Sequence, residues 1–461
     1  MKDKKIIVIG LDSVPPQLMY DELKDNLPSV MELLDNSLYG NLHSCDPPIT
    51  IPAWAVMMTS QNPGRLGMYG FRHRKGFSYT DFYIASSYSV REPTLWDYLS
   101  KVNKSSCLIS IPPSYPPKPV NGSLISCFIT PTVERDYTYP PELKGEIENR
   151  FGPYRFDVEF RTEDRKAIIN DLYGMTEKRF KVTKFLMENK KWDFLTFVEI
   201  GLDRVHHAFW KFFDKSHFKY QPGNEFENVI PEYYSYIDKQ IGELIKTAGK
   251  DTLIIIVSDH GTKGMKGAFC VNEWLAENGY LTFKAKPEKI NDLEKTEIDW
   301  SKTSAWGWGG YYARIFLNVK GRESKGVIDP KNYESFREEL TKELKKIKDP
   351  AGRTMDTKIF KPENIYTELR GDPPDLMVYF DDLYWRSAGT VGHNKLYLDE
   401  NDKGPDDSVH GMEGVFLMYD PGKTFSKKKL NNLDIKDIAP TVLNKYNLAV
   451  PSEMEGKIIG E

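Results

Sequence analysis

The stretch "DTLIIIVSDHG", residues 251–261, joins a fully apolar strand to a charged end. Its five apolar residues show no polar alternation, which is typical of a parallel strand covered on both faces. Asp259 and His260 follow almost directly, and a glycine comes next. A carboxylate and an imidazole at the end of a buried strand are costly unless they belong to a site. The stretch therefore predicts an α/β layer with polar chemistry at one edge of its sheet.

Two other stretches share this plan. "KKIIVIGLD" ends at Asp12 and "DFLTFVEIGLD" ends at Asp203, and a helical pattern follows each of the three strands. Alternating strands and helices predict a doubly wound sheet, in which ligands bind beyond the carboxyl ends of the strands. Three carboxylates at one edge repel one another unless cations offset them. Bound divalent metal ions are expected to offset this repulsion.

Histidines near these aspartates strengthen the prediction of a metal site. "DRVHH" places Asp203 and His207 at i and i+4 on one helical face, and His206 at i+3 could serve instead. His410, in "SVHG", precedes a glycine that lets the backbone turn tightly near a ligand. Each of these residues taken singly is more simply a turn former, a helix cap or a solvated side chain. The ordered set indicates a site.

A hydroxyl group precedes these motifs in "PPITIPAWAVMMTSQNPG", residues 47–64. Thr50 opens a predicted helix, whose free backbone N–H groups and positive dipole end favour an anion. The local alternative is that Thr50 is only an N-cap, with Pro52 in the first helical turn. Both interpretations are compatible, because a nucleophile at a helix start also sits beside a phosphate-binding position.

Composition restricts the expected binding partners and the expected cellular location. The chain has 461 residues, 40% of them hydrophobic, and a net charge of -4, so no global field favours a nucleic-acid polymer or an anionic membrane. No segment approaches the roughly 20 apolar residues of a membrane span. A small-molecule partner is expected, and oligomeric state is left open. Free thiols in a reducing, cytoplasmic location are expected from the widely spaced cysteines, which lack CxxC pairs: Cys45, Cys107, Cys127 and Cys270.

The organisation along the chain predicts a single domain over residues 1–461. The strand-helix rhythm is interrupted over about 72–160 and 263–401, which we interpret as insertions that shape a pocket. "ARIFLNV" and "PDLMVYF" in the second interval are predicted to form extra edge strands. Residues 428–448 are predicted to form one helix near the C-terminus.

The order of "TIP", "DRVHH", "SDHG" and "VHG" resembles the alkaline phosphatase superfamily, most closely its type I phosphodiesterase and nucleotide pyrophosphatase branch. The resemblance implies a three-layer α/β/α sandwich with a mostly parallel central sheet and insertions over the active-site edge. It also implies a metal-dependent hydrolase of phosphate esters, foremost a phosphodiesterase. In that branch the "TxP" threonine is the nucleophile, which assigns a phospho-threonine intermediate to Thr50.

The same resemblance implies two divalent metal ions. Mixed nitrogen and oxygen ligands suit zinc best, with manganese or cobalt as possible substitutes. One ion lowers the pKa of the nucleophile and the other neutralises phosphoryl oxygens. Carried over residue by residue, the first ion is held by Asp203, His207 and His410, and the second by Asp12, Asp259, His260 and the Thr50 oxygen.

One element departs from the family pattern. Nucleotide pyrophosphatases have an "HGIxxN" element whose asparagine helps to hold the phosphoryl oxygen, whereas the matching "LGMYGF" has Leu66 and Phe71. This weakens a claim to nucleotide specificity. Phe71 and Arg72 are candidate substrate-binding residues, although a solvated basic turn explains Arg72 more simply. His393 in "VGHNK" is expected to be a structural or rim histidine.

Other activities compete with phosphodiester hydrolysis. A phosphomonoesterase is the closest rival, because a two-metal site with a threonine can perform either reaction. A phosphotransferase like the cofactor-independent phosphoglycerate mutases is disfavoured by Thr50, since those enzymes use serine. "CDPPI" at Cys45 lacks the arginine of the sulfatase motif. A non-catalytic metal-binding protein is least expected, because a structural site needs no hydroxyl at a helix start.

Overall fold

A nine-stranded central sheet forms the middle of the molecule in the computed structural model, which describes residues 4–460. Seven of its strands run in one direction, and Glu413–Tyr419 and Thr138–Tyr139 run against them. The order across the sheet is Lys428–Asp434, Ser37–His43, Glu413–Tyr419, Leu253–Val257, Ile6–Leu11, Phe194–Glu199, Ser106–Ile109, Gly122–Ile125 and Thr138–Tyr139.

The three apolar runs singled out in the sequence are neighbouring parallel strands, as predicted. Ile6–Leu11 lies between the other two, with Gly10 level with Val198 on one side and Val257 on the other. This register brings the carboxyl ends of all three strands to one edge of the sheet. The polar residues that follow the strands therefore meet.

Both faces of the central sheet are covered, which gives the three-layer α/β/α sandwich that the family resemblance implied. Ile7 and Ile9 point into one hydrophobic cluster and Ile6 and Val8 into another, as alternation along a strand requires. The first face is covered by Pro28–Leu34, Arg165–Asn189, Gly201–Phe213 and Val229–Ala248, and the second by Thr50–Thr59, Leu95–Lys101 and Ile438–Lys445.

The interval 263–401 contains a second, antiparallel sheet with its own buried cluster. Arg314 and Met377 pair within it, so "ARIFLNV" and "PDLMVYF" form internal strands and not the edge strands predicted. Apolar residues on both strands explain the central position, because edge strands expose one row of backbone groups. The strand order is Ala305–Trp308, Ala313–Leu317, Leu376–Tyr379 and Lys358–Phe360.

Smaller elements surround these two sheets. Three further sheets join Gly261–Gly264 to Ser408–Gly411, Arg72–Arg74 to Phe82–Ile84, and Gly267–Cys270 to both Trp385–Ala388 and Tyr397–Leu398. The remaining helices are Pro63–Leu66, Glu142–Phe151, Val271–Glu277, Tyr333–Leu344 and Pro362–Ile365, with single turns at Leu18–Glu22, Lys24–Asn26, Ser87–Ser89, Leu293–Lys295, Pro330–Asn332 and Ile435–Asp437.

Two predictions about boundaries are corrected. The interval 72–160 is not purely an insertion, because it supplies the last three strands at one end of the central sheet. Residues 428–448 are not one helix: Lys428–Asp434 is an edge strand, and the helix begins only at Ile438. The strand sequence "KKLNNLD" was not recognised, because most of its residues are exposed and polar, which a strand at the sheet edge tolerates. Within residues 4–460, no helix is both long and apolar enough to cross a membrane.

Candidate active site

Thr50 is the first residue of the helix Thr50–Thr59, and Ile49 is its N-cap. The Thr50 side chain is buried, and its Oγ1 lies 3.3 Å from Nε2 of His260. The local N-cap interpretation is therefore wrong in detail, since the hydroxyl turns to a histidine at the end of another strand. This geometry places a hydroxyl at a helix start directly beside the charged edge of the sheet.

The three aspartates at the sheet edge share one arrangement: one carboxylate oxygen is anchored by the chain and the other is left open. Trp54 Nε1 donates to Asp12 Oδ2 at 2.9 Å, and Arg204 Nη1 donates to Asp203 Oδ2 at 2.6 Å. The backbone N–H of Ser13 donates to Asp259 Oδ1 at 3.3 Å. The opposite oxygens of all three are buried and accept no hydrogen bond from residues 4–460: Asp12 Oδ1, Asp203 Oδ1 and Asp259 Oδ2.

Gly10 makes the first of these anchors possible. A Cβ atom built at Gly10 would lie 2.3 Å from the indole of Trp54, which is too close for any side chain. The indole passes over the glycine to reach Asp12 at the strand end. The glycine in "VIGLD" thus serves the orientation of a carboxylate.

The histidines show the same asymmetry in their two ring nitrogens. His410 Nδ1 lies 2.7 Å from the carbonyl oxygen of Pro48, and His260 Nδ1 lies 3.1 Å from that of Gly261. A carbonyl only accepts, so Nδ1 carries the proton and the lone pair of Nε2 faces the site. His410 Nε2 is also buried without a partner among the described residues. Such backbone contacts fix the tautomer that metal-binding histidines use.

His207, and not His206, turns toward Asp203. His207 Nε2 lies 3.3 Å from Asp203 Oδ1, and His207 Nδ1 lies 2.7 Å from Asp406 Oδ1. Both nitrogens of His206 are engaged elsewhere, by the hydroxyl of Tyr234 at 3.0 Å and that of Thr262 at 3.1 Å. The geometry therefore favours His207 in the choice that the sequence left open.

The open atoms fall into two groups that could hold a metal ion, and His260 belongs to both. One group is Asp12, Asp259 and His260, and the other is Asp203, His260 and His410; within each, the donor atoms lie within 4.8 Å of one another. The second group differs from the predicted ligand set, because it has His260 where His207 was expected. His207 Nε2 lies 3.3 Å from the same Asp203 oxygen that His410 Nε2 approaches at 3.6 Å, and the Tyr311 hydroxyl lies 3.1 Å from His207 Nε2. Unpaired carboxylate oxygens beside imidazole lone pairs are donors that divalent cations require.

Burial and mutual repulsion shift the pKa values of these groups in opposite directions. Burial, with the nearby charge of Asp203, raises the pKa of Asp12 well above its usual range, and burial with the charge of Asp12 does the same to Asp259. Burial lowers the pKa of His410 to about 4. Burial opposes protonation of His207 too, but Asp406, Tyr311 and Asp203 outweigh it and raise the pKa of His207. Carboxylates that cannot ionise together are typical of a cation site.

Three functional side chains escaped the sequence analysis. Asp406 holds His207, Arg204 holds Asp203, and the ring of Tyr311 stacks on His410 with centroids 3.6 Å apart. Asp406 had a weak signal, since "PDDSVHG" puts two acids just before His410. Tyr311 had none, because it comes from the second insertion.

The predicted substrate-binding residues lie at a cavity of about 370 Å³ beside the site. Phe71 and Arg72 both line it, together with Ile49 and Tyr311. Arg72 is half-buried and pairs with Glu294 at 2.9 Å, so it is not the freely solvated turn of the simpler interpretation. His393 lies in the second insertion, where its Nε2 is 2.7 Å from the Thr390 hydroxyl.

Comparisons with known proteins concern the sequence family and the fold. A family model described as type I phosphodiesterase / nucleotide pyrophosphatase matches residues 6–406, ending four residues before His410. No curated protein sequence matches. The fold is similar to that of human ectonucleotide pyrophosphatase/phosphodiesterase 5, at 13% identity and a TM-score of 0.59 over 98% of this chain and 97% of that one. The murine protein of the same name, solved as an inactive variant in complex with AMP, is similar at 12% identity and a TM-score of 0.57, covering 97% and 96%.

Proposed function

Since this chain belongs to the type I phosphodiesterase / nucleotide pyrophosphatase family, and is thus a hydrolase of phosphoric ester bonds, we propose that it cleaves a phosphodiester with Thr50 as nucleophile. The single observation that supports this role is the 3.3 Å approach of the Thr50 hydroxyl to His260, which belongs to both groups of candidate donor atoms. A hydroxyl needs such a setting, because it is a weak nucleophile at neutral pH.

The reaction proceeds in two steps on Thr50. Its Oγ forms a bond to phosphorus while the bond from phosphorus to one alcohol breaks, and the threonine proton ends on that alcohol. Water then attacks the phospho-threonine, which releases a phosphate monoester and restores the hydroxyl. The N-terminus of the helix that begins at Thr50 presents free N–H groups to the phosphoryl oxygens in both steps.

Two divalent ions, foremost zinc, with manganese or cobalt as substitutes, complete the proposed site. When bound, they lower the pKa of the hydroxyl and neutralise charge on the phosphoryl group. Asp203, His207 and His410 would hold one ion, and the other would lie at Asp12, Asp259, His260 and Thr50. The four buried donor atoms without hydrogen bonds support this assignment.

The substrate is proposed to be a small phosphate ester, and the AMP complex of the murine relative supports that class. The chain is proposed to act as one catalytic domain, because Tyr311 of the second insertion contacts both His207 and His410. A cytoplasmic location stays a prediction from the dispersed cysteines; all four are buried and free.

Replacing Thr50 by alanine tests the proposed nucleophile. We expect hydrolysis of bis-p-nitrophenyl phosphate, with zinc or manganese added, to fall by about 10³-fold or more, because the residue that forms the intermediate is gone. Metal content, measured on the purified protein, should be unchanged, since six of the seven ligand positions remain.

Thr59→Ala is the matched control, because Thr59 ends the same helix and its hydroxyl contacts backbone groups: it donates to Ala55 O and accepts from the N–H of Gln61. It should keep wild-type activity. Wild-type activity in Thr50→Ala would remove the covalent mechanism. In the wild type, hydrolysis of p-nitrophenyl phosphate but not of the diester would instead indicate a phosphomonoesterase. Hydrolysis of neither ester with metal bound would indicate a non-catalytic metal-binding protein.

A further inference from the structure

The cavity beside the candidate active site is lined by five arginines and one acidic residue. Asp157 is that acid, and the arginines are Arg72, Arg161, Arg204, Arg314 and Arg386. The cavity adjoins the candidate active site. Ile49 in its wall directly precedes Thr50, and Tyr311 in its wall stacks on His410. A ligand seated on Thr50 would therefore extend into it.

Most of this positive charge is matched by carboxylates. Asp157 accepts two hydrogen bonds from Arg204, each at 2.7 Å. Asp406 pairs with Arg161 at 3.0 Å and with Arg386 at 2.9 Å, and it also holds His207. The single negative charge of Asp406 is thus shared by two arginines and a histidine. The cavity keeps an excess of positive charge.

Arg314 is the arginine of this cavity that pairs with no carboxylate of residues 4–460. Its residue is 8% exposed, and within residues 4–460 it forms no ion pair with a carboxylate. One Nη donates to the carbonyl oxygen of Arg72, and its buried Nε has no acceptor. Arg386, 5% exposed, also has a buried Nε without an acceptor. By contrast Arg74, in the same region, is buried against Glu323 at 3.1 Å.

A buried guanidinium without an anion is costly, so it is expected where a ligand supplies the charge. Burial lowers the pKa of Arg314 to about 10, which still leaves it charged at neutral pH. Guanidinium groups bind phosphate and carboxylate through paired N–H donors. Space for such a group is available, because Gly310 adopts φ 138° and has no atom near its Cβ position.

We propose that the substrate carries a second oxyanion, a phosphate or carboxylate group, which binds Arg314 and Arg386 while the scissile phosphoryl group lies at Thr50. This inference rests on the proposed function, since it describes another part of the same substrate. It identifies the substrate class as phosphate esters with a second anionic group, in place of diesters whose only charge is that of the scissile phosphate.

Three competitive inhibitors of bis-p-nitrophenyl phosphate hydrolysis test the proposal. Propylphosphonate has one anionic group, 3-phosphonopropanoate adds a carboxylate, and propane-1,3-bisphosphonate adds a phosphonate. We expect at least one of the two probes that carry a second anionic group to bind about tenfold more tightly than propylphosphonate, as charge-assisted hydrogen bonds would give. The better of the two names the second group.

Arg314→Met should remove this advantage, so that the inhibition constants become similar, and Arg314→Lys should keep part of it. Chelation of metal by the bisphosphonate is controlled internally, because it would act equally on the variants. Arg353→Met is the matched surface control: its side chain is 77% exposed and pairs with Asp349, so activity and the advantage should both persist. If Arg314→Met does not fold, Arg72→Met at the cavity wall should show a smaller loss of the tighter binding that the second anionic group gives.

Equal inhibition by all three probes in the wild type would overturn the proposal, and so would an equal weakening of all three in Arg314→Met, which would put Arg314 on the scissile group. Failure of the proposed function is distinguishable, because no ester would then be hydrolysed. In that case the rise of Tm on adding propane-1,3-bisphosphonate still tests Arg314, since a ligand stabilises only a protein that binds it.

Discussion

A buried aspartate beside the second sheet in 263–401 and one at the edge of the central sheet differ in how fully their carboxylates are hydrogen-bonded. In the second sheet Asp375 accepts hydrogen bonds from Arg322 at 2.7 Å, from Tyr333 at 2.6 Å and from the backbone of Leu317. At the central edge one buried oxygen of Asp259 accepts no hydrogen bond from the described part of the chain. The first arrangement is complete without a ligand, and the second is not. The difference indicates that Asp375 supports the structure and that Asp259 is a candidate ligand of a metal ion.

The two regions meet at Asp406. Its Oδ1 holds His207 of the central layer, and its Oδ2 accepts from Arg386, which lies in the three-stranded sheet of the insertion. Burial opposes ionisation of Asp406, but His207, Arg386 and Arg161 outweigh it and lower its pKa. This carboxylate therefore ties the orientation of a candidate metal ligand to the wall of the arginine cavity.

The same substitution in both regions should give the largest contrast. We expect Asp259→Asn to lower activity by about 10³-fold and to lower the Tm of the metal-loaded protein, because a ligand is lost. In the metal-free protein it should leave Tm unchanged or raise it, since one of three repelling carboxylates is gone. Thermal unfolding with added metal and with added chelator measures the change in Tm of the metal-loaded and of the metal-free protein.

Asp375→Asn is the partner experiment. Its carboxylate is satisfied by the protein alone, so Tm should fall by the same amount with and without metal. A metal-dependent loss in Asp375→Asn, or a metal-independent one in Asp259→Asn, would break the distinction between the two regions.

Core substitutions should show whether the two regions unfold together. Ile255 lies in the central sheet and Ile315 in the second, and both are fully buried. Each change to alanine should lower the free energy of unfolding by about 2–5 kcal/mol, because it leaves a cavity. A single domain predicts one transition in urea for both variants. An early separate transition in Ile315→Ala, followed by the fluorescence of Trp306 and Trp308, would contradict the single-domain prediction.

Adjacent histidines offer a finer comparison within the central region. His207→Ala should weaken zinc binding by about 10–100-fold, the range typical of residues in and around metal sites. His206→Ala should retain its metal, because its ring bonds Tyr234 and Thr262 and not the aspartates. It should still cost stability, since two buried hydroxyls lose a partner. Competition with a chromophoric chelator measures the affinities; equal losses would mean that the assignment of His207 is wrong.

The fold and the donor residues were largely predictable because they follow local rules. Unbroken apolar runs gave the three central strands, and the order of strands in a parallel sheet brings Asp12, Asp203 and Asp259 to one edge. His207 and His410 were proposed from their spacing and from the family resemblance. These features depend on a few residues close together in the sequence.

The cavity and its charges were not predictable, because they depend on distant packing. Arg161, Arg314 and Arg386 lie in three separate segments, and nothing near Arg314 in "ARIFLNV" distinguishes it from a strand residue that points to solvent. Only the fold shows that it is buried without a carboxylate. The strands at 106–109 and 122–125 were missed for a related reason: they are short, and prolines separate them.

The pH dependence of zinc affinity tests how protons occupy the site. In the metal-free protein the pKa values of Asp12, Asp259 and His207 are raised, so protons held there must leave before a cation binds. His410 has a lowered pKa, so above neutral pH it is uncharged in both the folded and the unfolded chain. The folded-state pKa of His207 lies above its unfolded value, so its contribution to metal-free stability is full below the unfolded pKa and is lost as pH rises through the folded one. Between about pH 7 and 8.5 zinc affinity should therefore rise by up to about tenfold per pH unit for each proton released, and His207→Ala should flatten the slope. An affinity that is constant over this range in the wild type would show that the site is already deprotonated.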